Sequence, residues 1–150
     1  MPDGWREELL TNTHALDSAS LGGSVVNANV KQEAMRGVSQ HFDAFVADAV
    51  KLNKSKEIRK VSSFMYDFYE ALKHINSRAP RTAHWVLTTG NRTAAGMAVP
   101  FDGICRDIIS SLGGNCMSSM DRVLPTKRMP SRNSVGVMIT TETTLVAEFN

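Results

Sequence analysis

The chain is poor in the residues that staple small folds: its 150 residues include only two cysteines, Cys105 and Cys116. Neither sits in a CxxC pair or has a histidine at metal-ligand spacing, so no zinc site is expected and both thiols are read as reduced. A chain of this length can bury enough surface to fold without a disulfide or a metal. No apolar run approaches the roughly 20 residues that span a bilayer, so no membrane contact is expected. The opening "MPDGWREELL" is acidic and lacks a signal peptide's basic start and apolar middle, which points to synthesis in a cytosol. Neither "LGGS" nor "SLGGN" is followed by a P-loop lysine, and no GxGxxG spacing occurs, so no nucleotide site or other cofactor is expected. With no internal repeat and no low-complexity run, the expectation is a single domain over residues 1–150. It divides into an N-terminal arm (1–24), a helical hairpin (25–76) and a sheet with one further helix (77–150).

Charge is unevenly spread. Residues 1–50 hold 7 acids and 3 bases, residues 51–98 hold 3 acids and 9 bases, and residues 99–150 hold 5 of each. A chain polarised in this way can pack head to tail with copies of itself or hold nucleic acid weakly on one face.

The apolar periodicity predicts most of the elements. "TNTHALDSASLGGS" reads as a loop by composition. Val26, Val30, Ala34, Val38, Phe42, Phe45, Ala49 and Leu52 recur at helical steps, with Gly37 a weak point in the middle. After "NKSK", a second helix shows Ile58, Val61, Met65, Phe68, Leu72 and Ile75 at alternating steps of three and four. It ends at "NSRAP", where the residue before Pro80 disfavours helix. The two helices form a hairpin whose core is expected from Val30, Phe42, Phe45, Val61, Phe68 and Leu72. Thr82 to Thr89 alternates as a strand, Gly90-Asn91 fits a two-residue turn, and Arg92 to Val99 would return as the partner strand. "PFDGICRDIISSLGG" predicts a third helix, capped by Asp102 and ended by Gly113-Gly114. Residues 115–134 read as a long irregular loop, and "SVGVMITTETTLVAEF" as one or two strands with Thr141-Glu142 near the bend, open to a neighbour if they lie at the sheet edge. The predicted fold class is α+β: helices packed on one face of a small antiparallel sheet.

Few residues carry chemistry. Of the four histidines, His14, His41, His74 and His84, none stands beside a cysteine in sequence. Cys105 lies in an apolar helical stripe and reads as a small hydrophobe, whereas Cys116 follows the glycine pair and is expected nearer the surface. Asp102 and Asp107 lie five apart on one helix and face different ways, so they are not a paired acid and base. The basic segment 51–60, with Lys54, Lys56, Arg59 and Lys60, reads as a solvated turn or a phosphate-facing tip. The arm 122–132 holds Arg122, Lys127, Arg128 and Arg132 and no acid. It could lie on an acidic neighbour or on nucleic acid. The last strand, rich in threonine and β-branched residues, has few of the charges that blunt a sheet edge. Leu145, Val146 and Phe149 are therefore candidate interface residues.

At "APRTAHW" the chain resembles the small tail-completion and neck proteins of tailed bacteriophages. Pro80, Thr82 and Trp85 match their proline, threonine-bearing turn and tryptophan strand, and Glu148 and Phe149 stand where that family's last strand closes on an acid and an aromatic. The family's Asp-Thr-Gly turn is replaced by Arg81-Thr82-Ala83, and the match covers about a third of the chain. The resemblance implies a non-enzymatic ring subunit of a virion, made in the host cytoplasm and contacting other copies and neighbouring structural proteins. The other expectation is a small nucleic-acid-binding protein that uses segments 51–60 and 122–132.

Overall fold

The computed structural model describes residues 13–80, 82–94, 96–125 and 139–149. It is an α+β fold with elements in the order α1 (Thr13–Ala19), α2 (Ala28–Met35), α3 (Gln40–Lys51), α4 (Ser55–Asn76), β1 (His84–Gly90), β2 (Arg92–Ala94), β3 (Met97–Val99), α5 (Phe101–Ser111), β4 (Gly114–Val123) and β5 (Thr141–Phe149). The polar stretch read as a loop thus contains the short helix α1.

The first predicted helix of the hairpin is two helices. Gly37 takes a left-handed φ of +77°, which glycine adopts without a Cβ penalty and which ends α2. Ser39 then starts α3 afresh, its hydroxyl accepting the Phe42 amide at 3.1 Å. The break rotates the apolar stripe of α2 out of phase with that of α3. As a result Val30, expected in the core, is 68% exposed, while Met35, Phe42 and Phe45 are buried. The second predicted helix is present as α4, 22 residues long. Its carboxylate Asp67 ties down the chain before and within α2: it accepts the Gly22 amide at 3.1 Å and the Lys31 ammonium at 2.7 Å.

The third helix is α5, and Gly113 ends it with φ +83°. Asp102 is not its cap. Pro100 holds that position, and no side chain caps the α5 N-terminus. Asp107 instead reaches across to the start of α3. Its Oδ2 accepts the Ser39 hydroxyl at 2.7 Å, the His41 amide at 3.1 Å and the His41 ring Nδ1 at 2.9 Å. The approach is possible because residue 103 is glycine: a Cβ there would lie 2.7 Å from the His41 ring.

The main sheet has three strands in the order β1-β5-β4, and both neighbours pair with β5 antiparallel. Three expectations fail here. Residues 92–99 do not return along β1: β2 and β3 form a separate two-stranded sheet, turned at Gly96 with φ +79°. The chain after Gly90 is held to β5 instead, since Asn91 donates its amide to the Thr141 carbonyl at 3.0 Å. Residues 115–123, read as irregular loop, belong to the ten-residue strand β4. Finally, the last strand is central. Val146 faces Val86 on one side and Ser118 on the other, so its backbone is committed within the chain. A strand free of edge-blunting charges is as consistent with the middle of a sheet as with an interface.

Helices cover one face of this sheet. Leu145, Ala147 and Phe149 are buried there with Cys105 and Ile109 of α5. A second cluster joins Met35, Phe42, Phe45, Met65, Leu72, Val99, Ile104 and Ile108. Phe68, Trp85, Phe101 and Leu112 touch both clusters and make them continuous. Phe68→Ala is expected to cost about 3 kcal/mol of stability, and Val30→Ala less than about 0.5 kcal/mol, in urea titrations. Similar losses for the two would show that the phase break at Gly37 is misplaced.

The Asp107 contact sets a pH dependence. Burial pushes its carboxyl up, but the hydrogen bonds from the His41 ring, the Ser39 hydroxyl and the His41 amide outweigh this and hold it below its ordinary value. Its contribution is therefore complete above the unfolded value of about 3.9 and is lost as pH falls through the lower folded value. Asp107→Asn should destabilise by about 1–2 kcal/mol at neutral pH. The difference from the parent should shrink below about pH 4. A difference that stays constant down to the acid limit would contradict this account.

Candidate functional site

Because β1 and β4 are each antiparallel to β5, they run parallel to one another, and α5 forms the crossover between them. Sheets built from such crossovers bind ligands beyond the carboxyl ends of their parallel strands. Here that end is marked by a row across the sheet, Gly90 on β1, Glu142 on β5 and Arg122 on β4. The stretch "TTGNRT" and the first base of the arm, Arg122, which look unrelated in the sequence, meet at this end.

The row is held by short-range polar contacts. Arg122 donates to Glu142 at 2.5 Å, so the first of the four arm bases is neutralised within the chain. Asp121 accepts the Thr143 hydroxyl at 2.8 Å. Asn91 does more than turn the chain: its side-chain oxygen accepts the amides of Thr140 and Thr141 at 2.8 and 3.0 Å. Across from it the Leu124 amide donates to the Thr140 carbonyl at 2.8 Å. Together these bonds clamp both ends of the segment between Leu124 and Thr140. Gly90 is tightly packed in the same place, since a Cβ there would lie 2.8 Å from the Ile139 side chain. Lys127, Arg128 and Arg132 lie outside the described residues.

Arg92 follows directly after this clamp and opens onto a groove of about 400 Å³ between α4 and β2. Val61, Phe64 and Phe101 line its apolar floor, and Lys60 stands with Arg92 at its border. Among the described residues, neither Arg92 nor Lys60 has an acidic partner. Two uncompensated cations beside an apolar floor can hold an anion attached to a flat apolar group. The rest of the basic segment is more dispersed. Lys54 is half-buried at the turn between α3 and α4, Lys56 is exposed, and Arg59 reaches the Val25 carbonyl at 3.5 Å.

The remaining candidates behave as structural residues. Leu145 and Phe149 are buried against the helices and cannot serve an interface on that face. Burial, with Asp102 adding to it, pushes the Cys105 thiol up to about 12, so it stays a protonated small hydrophobe. Cys116 is half-buried, 3.6 Å from the Arg106 guanidinium. His84 is exposed on β1, as a surface strand residue. The sequence named Asn91 only as a turn residue and Asp107 only as half of a rejected pair, and the role of each was missed. A polar residue directly after a strand, and an acid midway along an otherwise apolar helix, were the available signals.

No protein-family model matches the chain, and no solved structure matches it. Among curated proteins it is similar to the Type II methyltransferase M.MvaI of Kocuria varians, with 23% identity over 124 residues. The aligned stretch covers 83% of this chain and 27% of that protein, so the chain spans about a quarter of the length of the methyltransferase it matches.

Proposed function

We propose that this chain is the outer part of a larger methyltransferase sheet, and that it binds and positions a nucleic-acid substrate without itself transferring the methyl group. The observation that carries this reading is the similarity to a methyltransferase over most of the chain. The topology supports it. β1 and β4 run parallel with α5 in the connection between them, as in sheets built from crossovers. In this reading the methyl donor is held elsewhere than on the described residues. Nucleic acid is the substrate class suggested by the unpaired cations Lys60 and Arg92 and by the acid-free arm 122–132.

A second reading, a neck or connector subunit of a tailed-phage virion, is favoured by the length and exposure of the open edge of β4. It requires a closed ring of copies and no methyl transfer.

Duplex DNA binding followed by fluorescence anisotropy tests the first reading. Affinity should fall steeply with salt, and Lys60→Ala with Arg92→Ala should reduce the slope of log K against log salt by about 2. The chain alone should transfer no label from radiolabelled S-adenosylmethionine. Failure to bind at about 50 mM salt, or an unchanged slope in the double variant, would remove the nucleic-acid role.

A further inference from the structure

The strand β4 ends the sheet, and its outer row of backbone donors and acceptors has no partner among the described residues. At ten residues it is long for an edge strand, and everything from Met117 to Val123 is exposed. Three of those side chains are large and apolar: Met117 is 54%, Met120 61% and Val123 77% exposed. Soluble proteins usually protect such an edge with a lysine, a proline or an inward-pointing charge. The only charges on β4 are Asp121 and Arg122, and both are turned back onto β5, to Thr143 and Glu142. The strand's own side chains therefore leave no free charge at the edge, and among the described residues the one cation beside it is the Arg106 guanidinium of α5, which donates to the Ser119 hydroxyl at 2.5 Å. One irregularity lies near its start, where the register with β5 shifts between Cys116 and Ser118.

We propose that β4 pairs antiparallel with β4 of a second copy of this chain about a two-fold axis, Met120 of one copy opposite Met120 of the other. The sequence of the strand is complementary to itself in this register. With Met120 on the axis, Asp121 faces Ser119, Arg122 faces Ser118 and Val123 faces Met117. Apolar residues meet apolar ones, each charge meets a serine, and no like charges are opposed. Moving the axis one residue toward the start of the strand, onto Ser119, sets Asp121 against Met117 and Arg122 against Cys116. The same shift toward its end, onto Asp121, opposes the two Asp121 carboxylates. The Met120-centred register also avoids Pro125, which has no amide to contribute. The product is one continuous sheet of six strands, with both β4 edges consumed and the carboxyl ends of the two halves pointing in opposite directions. This contact closes on itself, unlike the head-to-tail contact that a ring needs. It stands independently of the methyl-transfer reading, because it uses the edge opposite to β1.

Sedimentation equilibrium of the purified chain gives the mass, and a concentration-dependent dimer is expected. Met120→Lys places two like charges directly opposite on the axis and should raise the dimer dissociation constant by more than about tenfold. Val86→Lys changes an exposed residue on a different strand and should leave the dimer unchanged. Circular dichroism should show both variants folded, since both side chains are largely exposed. Register is tested by oxidation on a Cys116→Ser background. Met120→Cys should cross-link to itself, because directly opposed antiparallel residues lie about 4.5–5.5 Å apart. Ser118→Cys should not, because the two copies of residue 118 would be about 13 Å apart along the strand. A monomer at all concentrations, a higher-order ring, a dimer indifferent to Met120→Lys, or cross-linking at 118 in place of 120 would each overturn the proposal.

Discussion

The structure depends on the insertion of β5 between β1 and β4. The crossover through α5 leaves β1 and β4 parallel but one strand apart, and neither has a ladder partner on its inner side until β5 enters. β5 supplies both ladders and also the apolar row, Leu145, Ala147 and Phe149, that closes the helical face. Its pairings are remote in sequence: the hydroxyls of Thr88 and Thr144, 56 residues apart, meet at 2.9 Å across the sheet. Loop-closure entropy must be met before such contacts form, so assembly of the sheet is expected to follow that of the helices.

Around that sheet, two carboxylates fix how the helices stand. Asp67 on α4 holds the chain before α2 and the lysine on it, and Asp107 on α5 holds the first turn of α3. Each joins elements that are distant in the chain and packed through apolar surfaces. Apolar packing alone tolerates sliding, whereas a carboxylate shared by several donors accepts one geometry. Such contacts explain why helices with ordinary amphipathic stripes adopt one arrangement. Among the described residues the carboxyl end of the sheet is held instead by Asn91, Arg122 and Glu142.

Local physics made the helices legible. The stripe from Ile58 to Ile75 reproduces α4, and the Gly113-Gly114 stop marks the end of α5. Gly37 was visible as a weak point, but whether a mid-helix glycine bends or breaks the helix is decided by its neighbours. Here Ser39 and the distant Asp107 offer a new start, so the helix breaks. Strand pairing was not legible in the same way. The alternation from Thr82 to Thr89 identifies β1 without naming its partner, and a glycine-first dipeptide suggests a hairpin unless a side chain such as that of Asn91 recruits another strand. The last strand failed for a related reason. The composition of Leu145 to Phe149 reports only that the strand avoids water, and both a central position and an interface satisfy that. At the site, the individual bases were visible, but not that Arg122 is quenched by Glu142 while Lys60 and Arg92 remain unpaired.

The clamp at Asn91 has an evolutionary consequence. It fixes the two ends of the segment between Leu124 and Thr140 from outside that segment, through its own side chain and the Leu124 amide. Once the ends of a loop are fixed, doubling its length adds only about 0.6 kcal/mol of closure cost. Added length between those ends costs the fold little, whereas Ile139 is held to its identity by its packing against Gly90. Selection on whatever that segment touches is thereby uncoupled from selection on the sheet that carries it.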